Sequence, residues 1–406
     1  MKVLLIHQYA GNKGDRAVLF CLCKLIQSID SSIQIVVSTS SPELYKNVDF
    51  YESNAISFIN NSWSFPNKGT YWKILGKLKK YTFTLLREAY LLNSHKFIGR
   101  LLINPTFYKE CTTADKIISV GGHHFTTLLS RDLVSSINYD AMSVSACGKT
   151  FTCFSQSFGP FQFHKKHNKQ LTSKLLSSTS IYIRDNISYR YLQELLQKEK
   201  VYSEIPETVL SFASFYNDYK IPSKRKKQIG IAIYCTQSRS EEELETYTNT
   251  IAALCNHIVS TGNSVLFFPM ELKGTPPDDR KIIKTIVDKT KHPTFCNIVD
   301  KDLDTEEHIN AVGDCQAFIG HKTHSVIFAL ATGTPVIALA YHPKTIDFMT
   351  GYGLSNYAIP DKELSTTLLI EKFAVLTNNL DRISNIIWEQ SKTKAKSIIE
   401  SLKSVL

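Results

Sequence analysis

Apolar positions along the chain gather in short runs, each closed by small or polar residues. The first, residues 2–7 (KVLLIH), ends in a Gly-containing loop from Ala10 to Asp15. Behind the loop, Ala17, Val18, Phe20, Cys21, Leu22, Leu25 and Ile26 recur at helical spacing, and SIQIVVST follows, rich in β-branched residues. Strand, loop, helix, strand is the signature of a parallel βαβ unit. The pattern resumes at KIISVGG (116–122), TFTCFSQS (150–157) and SIYIRD (180–185). Loops at the C-terminal ends of such parallel strands are where ligands bind.

The character changes between Tyr216 and Gln228. The segment YNDYKIPSKRKKQ is polar, basic and contains a proline, the composition of a linker. A second series then begins. IGIAIYC (229–235) reads as a strand and residues 241–261 as a helix, followed by the strand NSVLFFPM (263–270) and a helix over 279–290. FCNIVD, a helix from Thr305, QAFIGHKTH (316–324), a helix from Ser325 and TPVIALAY (334–341) complete it. From Asp361 onward the chain reads as amphipathic helix. The expected fold is α/β: two doubly wound, Rossmann-like domains at 1–215 and 229–375, a linker at 216–228 and a helical tail at 376–406. That outline is GT-B-like, with a ligand cleft between the domains.

Composition narrows the class. The 406 residues are 43% hydrophobic and 21% charged, an ordinary globular balance. No apolar run approaches the length of a membrane span, and the N-terminus turns polar too soon for a signal peptide. Nine scattered cysteines without a CxxC pair read as reduced thiols of an intracellular protein. Charge is unevenly placed: residues 1–220 carry 26 Lys and Arg against 16 Asp and Glu, whereas residues 221–406 carry 21 of each. Residues 71–100, within a helical insertion at about 71–110, hold seven basic side chains and one acidic one, interleaved with Trp72, Phe83, Tyr90 and Phe97. Such a segment suits an anionic membrane surface or an anionic ligand. No nucleic-acid-binding motif accompanies it, so nucleic acid is not expected.

Several strand ends carry candidate chemistry. Gly11-Asn12-Lys13-Gly14-Asp15 lets backbone approach a ligand and offers helix N–H groups to an anion, or it is a tight turn in which Asp15 caps the helix. It is neither GxGxxG nor a Walker loop. Gly121-Gly122-His123-His124 closes another strand; neighbouring histidines in a loop rarely share one metal ion, and no metal is expected there. Asp300-x-Asp302-x-Asp304 lacks the Gly and Glu of a calcium loop and reads as a surface turn. Ser155-Gln156-Ser157 precedes a Gly-Pro turn, and Arg184-Asp185-Asn186-x-Ser188 follows the next strand, as a functional or as a capping and pairing motif. The densest cluster is Gly320-His321-Lys322-Thr323-His324-Ser325 at a helix entry. A cation beside an imidazole there is what an anionic substrate undergoing proton transfer requires.

Taken in order, GNKGD, SVGG, SQSFGP, IYIRDNIS and GHKTHSVIFALATGTPVIALAYHPKTIDFMTGYGL resemble the polysaccharide pyruvyl transferase family over about residues 3–357. The resemblance implies a GT-B-like fold and transfer of a pyruvyl group, as a ketal, from phosphoenolpyruvate to a sugar of a polysaccharide or its lipid-linked precursor. By position, His324 matches the family's motif histidine, Lys322 stands where its donor-binding arginine does, and Lys344 matches the lysine of its Tyr-x-x-Lys. Arg184, Asp185 and Ser188 match its Arg-Asp-x-x-Ser. Lys322 for arginine, His123 for a third glycine, and the absence of Asp-Pro in PETVLSFA (206–213) are departures. The implied roles follow. His324 is the general acid, and Asp15, His123 or His124 the base. Lys322, His321, Ser325, Lys344, Arg184 and Arg239 are the donor site, and Asn12, Gly14, Gly122 and Gln156 the acceptor site. Phosphoenolpyruvate is a substrate, and no cofactor is implied. The alternative is a GT-B-like glycosyltransferase with a nucleotide-sugar donor; a non-catalytic binding protein on the same scaffold is a third reading. Location is expected to be cytoplasmic, peripheral on the inner face of the plasma membrane.

Overall fold

In a computed structural model of the chain, residues 1–8, 12–64, 69–128, 135–197, 202–234, 239–271 and 278–406 are described. They divide into two compact units: residues 1–10, 18–208 and 398–406, and residues 11–17 and 209–397.

The first unit is built on an eight-stranded sheet. Its strands are β1 (Lys2–Gln8), β2 (Gln34–Thr39), β3 (Ser57–Asn60), β4 (Lys116–Ser119), β5 (Gly122–Phe125), β6 (Thr152–Phe158), β7 (Ser180–Ile183) and β8 (Ser203–Glu204). Their order is β3-β2-β1-β4-β6-β7-β8, with β5 pairing to β6, and every pairing is parallel. Burial of nearly every residue of β1 and β6 follows from helices on both faces, which is why these strands read as continuous apolar runs. The basic insertion is helical, as Thr70–Lys77, Lys79–Leu91, His95–Leu102 and Pro105–Thr113. Asp140 is fully buried beneath Ser62, whose backbone N–H donates to it at 3.1 Å, and burial pushes its carboxyl up to about 7.

The second unit holds β9 (Lys226–Ala232), β10 (Ser264–Phe267), β11 (Cys296–Ile298), β12 (Cys315–Gly320), β13 (Val336–Ala340) and β14 (Ala358–Pro360). The order is β11-β10-β9-β12-β13-β14, all parallel. Both sheets are doubly wound: the strand order reverses between β1 and β4 in one and between β9 and β12 in the other. In open parallel sheets that reversal opens a crevice at the strands' C-terminal ends. Helix starts obey local chemistry. Ser240 with Glu243, and Asp304 with Glu307, form reciprocal capping boxes. Asp302 and Asp304 thus belong to a structural turn, Asp304 as cap and Asp302 as ion-pair partner of Lys13 and Arg16. Strand β9 begins inside the segment read as linker, because Arg225 is buried and anchored. Its guanidinium donates to the carbonyls of Lys220 (2.6 Å) and Gly333 (3.1 Å) and to Thr334 Oγ1 (2.6 Å). No helix among the described residues is long and apolar enough to cross a membrane.

His308 lies fully buried between the rings of Phe268 and Phe328, at 5.4 and 5.6 Å, with Nε2 lacking a hydrogen-bond partner. Burial, reinforced by the charge of Lys13, lowers its pKa from 6.5 to about 3. Between those values the unfolded chain binds a proton that the folded chain refuses. The associated stability is complete above pH 6.5 and is lost as pH falls toward 3, at about 1.4 kcal/mol per pH unit. His308→Leu therefore shows a shallower fall of melting temperature from pH 6.5 to 4.5 than the wild type. Parallel melting curves for both proteins overturn this.

Candidate functional site

In the first unit the strand ends bring together several residues singled out in the sequence. Gln156, fully buried, donates from Nε2 to the carbonyl of Gly122 at 2.9 Å, joining β6 to β5. His123 and His124 lie within strand β5 and not in a loop. Successive side chains of a strand point to opposite faces, so the pair does not converge on one point. His123 Nε2 donates to the carbonyl of Gly159 at 2.5 Å. At the reversal point, His7 Nε2 donates to the carbonyl of Ile137 (3.2 Å), so Nδ1 accepts from the Ser119 hydroxyl (2.8 Å). Burial and the nearby His124 hold the His7 imidazole neutral, with its pKa lowered to about 3. Arg184 is spoken for: Nε donates to Ser157 Oγ at 2.7 Å and the guanidinium pairs with the fully buried Glu207. Ser157 donates to Asp185 at 2.5 Å, Asp185 caps the following helix through the Ser188 N–H at 2.7 Å, and Ser188 Oγ accepts from Phe158 N at 2.7 Å. The Arg-Asp-x-x-Ser motif is thus a polar knot tying β6 and β7 to that helix.

The second unit concentrates charge at its own reversal point. The helix Thr323–Ala331 starts two residues before the expected Ser325, with Lys322 as its N-cap residue. Ser325 Oγ donates to the Lys322 carbonyl at 2.7 Å, so that hydroxyl closes the first turn. Lys322, mostly buried, directs Nζ to Glu271 (2.5 Å) and Asp279 (3.7 Å) and over the ring of Tyr234 (5.3 Å). Asp279 accepts from the N–H groups of Met270 and Glu271, both at 2.9 Å, which fixes the turn after β10 and places Glu271 on the lysine. Burial raises the Asp279 pKa, against the opposing pull of Lys322. Glu271 Oε2 is buried without a hydrogen-bond partner.

Behind Lys322, His321 is wholly buried. Its Nδ1 meets the Tyr247 hydroxyl at 2.9 Å and Nε2 lies 3.2 Å from Asp361. Burial lowers the imidazole's pKa while Asp361 opposes the shift. Arg239 grips Asp361 through NH2, at 2.7 and 2.8 Å to its two oxygens, and stacks over Tyr247 at 4.6 Å. His321 and Arg239 together hold the Asp361 carboxyl down at about 2. Arg239 therefore braces this network.

The first turn of the helix Lys13–Ile29 belongs to the same unit. Asn12 Oδ1 accepts from Asp15 N at 2.8 Å and its amide donates back to the Asp15 carboxylate at 2.6 Å; the cap is Asn12, not Asp15. Gly14 lies flat against His324: a Cβ there would fall 2.2 Å from Nδ1 and 2.8 Å from Cβ of the histidine. Tyr341, just after β13, packs its ring on Tyr234 at 4.3 Å, and the charges of Glu271 and Asp15 reach it. Lys344 is buried on the helix Pro343–Thr350, which is coupled to the Thr323 turn by the 2.8 Å Thr323–Thr345 hydroxyl contact. Lys322, His324, Asp15, Gly14 and Tyr341 thus share one neighbourhood, with Lys344 one turn beyond. Glu271, Asp279 and Asp361 are carboxylates of this cluster that the sequence does not single out. The position of Glu271 at the close of the apolar run NSVLFFPM is its one signal.

A model of the polysaccharide pyruvyl transferase family matches residues 12–343. The amylovoran biosynthesis protein AmsJ of Erwinia amylovora is 22% identical over 411 residues, spanning 94% of each chain. Among solved structures, the chain is similar to the UDP-GlcNAc 2-epimerase of Neisseria meningitidis bound to UDP-GlcNAc (TM-score 0.58, 12% identity, 100% of both chains). It is also similar to the S. aureus MnaA–UDP co-structure (0.57, 11%, 96% of this chain and 90% of that one). A third likeness is to Anabaena Alr3699/HepE in complex with UDP (0.56, 11%, 100% and 99%). At such identities these likenesses concern the fold, which is GT-B. With the family's pattern matched from the Asn12 turn to the helix that carries Lys344, the chain belongs to the polysaccharide pyruvyl transferase family and is a transferase.

Proposed function

We propose that the second unit binds phosphoenolpyruvate and that the enzyme transfers its pyruvyl group, as a ketal, to a sugar of a polysaccharide or of its lipid-linked precursor. The observation that carries this reading is Lys322 at the strand-order reversal, capping a helix whose second residue is His324. A buried cation at a helix N-terminus suits a compact dianion, and the imidazole stands within the same turn. Lys322 and Lys344 hold the donor's phosphate and carboxylate. Glu271, which holds Lys322 in the absence of donor, yields the ammonium when the anion arrives.

The reaction then needs one acid and one base. His324 delivers a proton to the methylene carbon, and C2 gains oxocarbenium character. A sugar hydroxyl adds to C2 while Asp15 takes its proton. The C2–O bond to phosphate breaks, a second hydroxyl adds to C2 and closes the ketal, and the departing phosphate carries away the proton that this hydroxyl loses. Carbon–carbon unsaturation becomes a methyl group, so no redox partner is involved. His123, His124, Gly122, Gln156 and Asn12 are proposed for the acceptor. We assign Arg184 and Arg239 to support of the framework and not to direct donor contact, because both guanidinium groups already face carboxylates.

A second reading, a nucleotide-sugar donor, draws on the solved structures that hold UDP or UDP-GlcNAc in the same fold. Thermal shift separates the two. Phosphoenolpyruvate at 100 times its Kd stabilises by about 2.7 kcal/mol, a melting shift of several degrees. Lys322→Ala loses that shift and Lys322→Arg keeps it. A shift produced by UDP-sugars and not by phosphoenolpyruvate assigns the donor the other way.

A further inference from the structure

Eight of the fifteen large hydrophobic side chains exposed among the described residues fall between Tyr71 and Leu101, within the helical insertion of the first unit. Tyr81, Leu92 and Phe97 are 72%, 77% and 73% exposed. Their placement is regular. On the helix Lys79–Leu91, Thr82, Leu86, Ala89 and Tyr90 face the core, whereas Tyr81 and Leu85 lie on the opposite side. On the helix His95–Leu102, Phe97 and Leu101 are one turn apart and exposed, beside exposed Lys96 and Arg100. The helix Thr70–Lys77 buries no residue at all, and it presents Ile74 with Lys73 and Lys77. Tyr71 donates to the Leu101 carbonyl at 3.2 Å, which ties the helix Thr70–Lys77 to the end of the helix His95–Leu102.

The charge of this surface has one sign. Glu88, its one carboxylate, is paired with Arg87 at 2.7 Å. Lys73, Lys77, Lys80, Lys96 and Arg100 are exposed without a carboxylate partner among the described residues. A second copy of this chain does not fit, since cation would face cation. Nucleic acid would satisfy the charge but leaves Ile74, Leu85 and Leu101 in water. A bilayer of anionic phospholipid satisfies both at once. Acyl chains receive the aliphatic side chains, tyrosines sit at the interface, and flexible lysines reach up to headgroup phosphates. We propose that residues 70–102 dock this enzyme on an anionic membrane surface, lying in the interface without crossing the bilayer.

The test uses the full-length protein and sedimentation with vesicles, without donor or acceptor, so that its result is independent of the reaction proposed above. Vesicles containing phosphatidylglycerol pellet the wild type, pure phosphatidylcholine vesicles do not, and raising salt from 0.1 to 0.5 M releases it. Changing Lys73, Lys77, Lys80 and Lys96 together to Ser lowers the partition coefficient at least about 100-fold. Tyr81→Ser with Leu85→Ser lowers it about 10-fold or more while leaving the charge intact. These side chains are exposed, so melting temperature stays within a degree or two in both variants. Equal sedimentation with neutral vesicles, or unchanged binding in the four-lysine variant, overturns the proposal. So does a chain that binds single-stranded RNA and leaves anionic vesicles in the supernatant.

Discussion

Replacing His324 by Ala lowers turnover about 10²–10⁴-fold while the melting temperature stays near that of the wild type. The imidazole stands at the second position of the helix Thr323–Ala331, held flat against Gly14 and two residues beyond the N-cap residue Lys322. A proton donor in that place cannot be replaced by an amide, so His324→Gln is nearly as slow as the alanine variant. Gly14→Ala supplies an independent check. A methyl there would overlap the ring at Cβ as well as at Nδ1, so the whole side chain must move and not merely its tip. Alanine within a helix is better than glycine by about 1 kcal/mol, so this variant loses activity while its helix gains propensity. A packing role for His324 predicts the reverse pattern, with melting temperature falling and turnover per folded molecule intact. Turnover and melting curves on His324→Ala, His324→Gln and Gly14→Ala decide the matter, and full activity in His324→Gln would falsify proton transfer by this residue.

How far the sequence discloses this arrangement depends on whether a signal is local. Strand β1 and helix Lys13–Ile29 are legible because apolar periodicity and a capping turn act within a few residues. The helix at Glu241 is legible through its Ser-Glu capping box. Strand β5 is not. Gly122-His123-His124-Phe125 has the composition of a loop, and it is extended only because β6 offers a parallel edge to pair with. The same holds for chemistry. Lys322 and His324 announce themselves as a cation and an imidazole at a strand end. The carboxylates paired with Lys322 and His321 do not, because Glu271, Asp279 and Asp361 arrive from 43 to 51 residues before and 39 residues after Lys322 in the chain. Sequence spacing carries no trace of that meeting. Only the strand order, which sets β10 and β12 on either side of β9, brings it about.

The second large effect is one of stability. Arg184→Met removes the guanidinium that pairs with Glu207, a carboxylate with no exposed surface, and takes a donor from Ser157. Breaking a buried pair on one side costs about 3–5 kcal/mol. For a unit of this size that corresponds to a fall of roughly 6–20 °C in melting temperature. Glu207→Gln alone is less severe, since the amide oxygen still accepts from the guanidinium. Arg184→Met combined with Glu207→Met removes both charges and recovers most of the lost stability, because a buried pair replaced by apolar groups of similar volume is often neutral. Catalysis then separates two roles that the sequence motif leaves superimposed. If Arg184 serves the framework alone, activity returns with the fold in the double variant, and its KM for phosphoenolpyruvate matches the wild type. A guanidinium that touches the donor gives the other pattern: a refolded double variant whose KM stays raised about 10-fold or more, the loss expected for a charge-assisted contact. The buried Glu207 and the Ser157–Asp185–Ser188 chain of hydrogen bonds favour the first outcome, since Arg184 already donates to Ser157 and Glu207, and Asp185 and Ser188 carry the chain on to the next helix and back to Phe158.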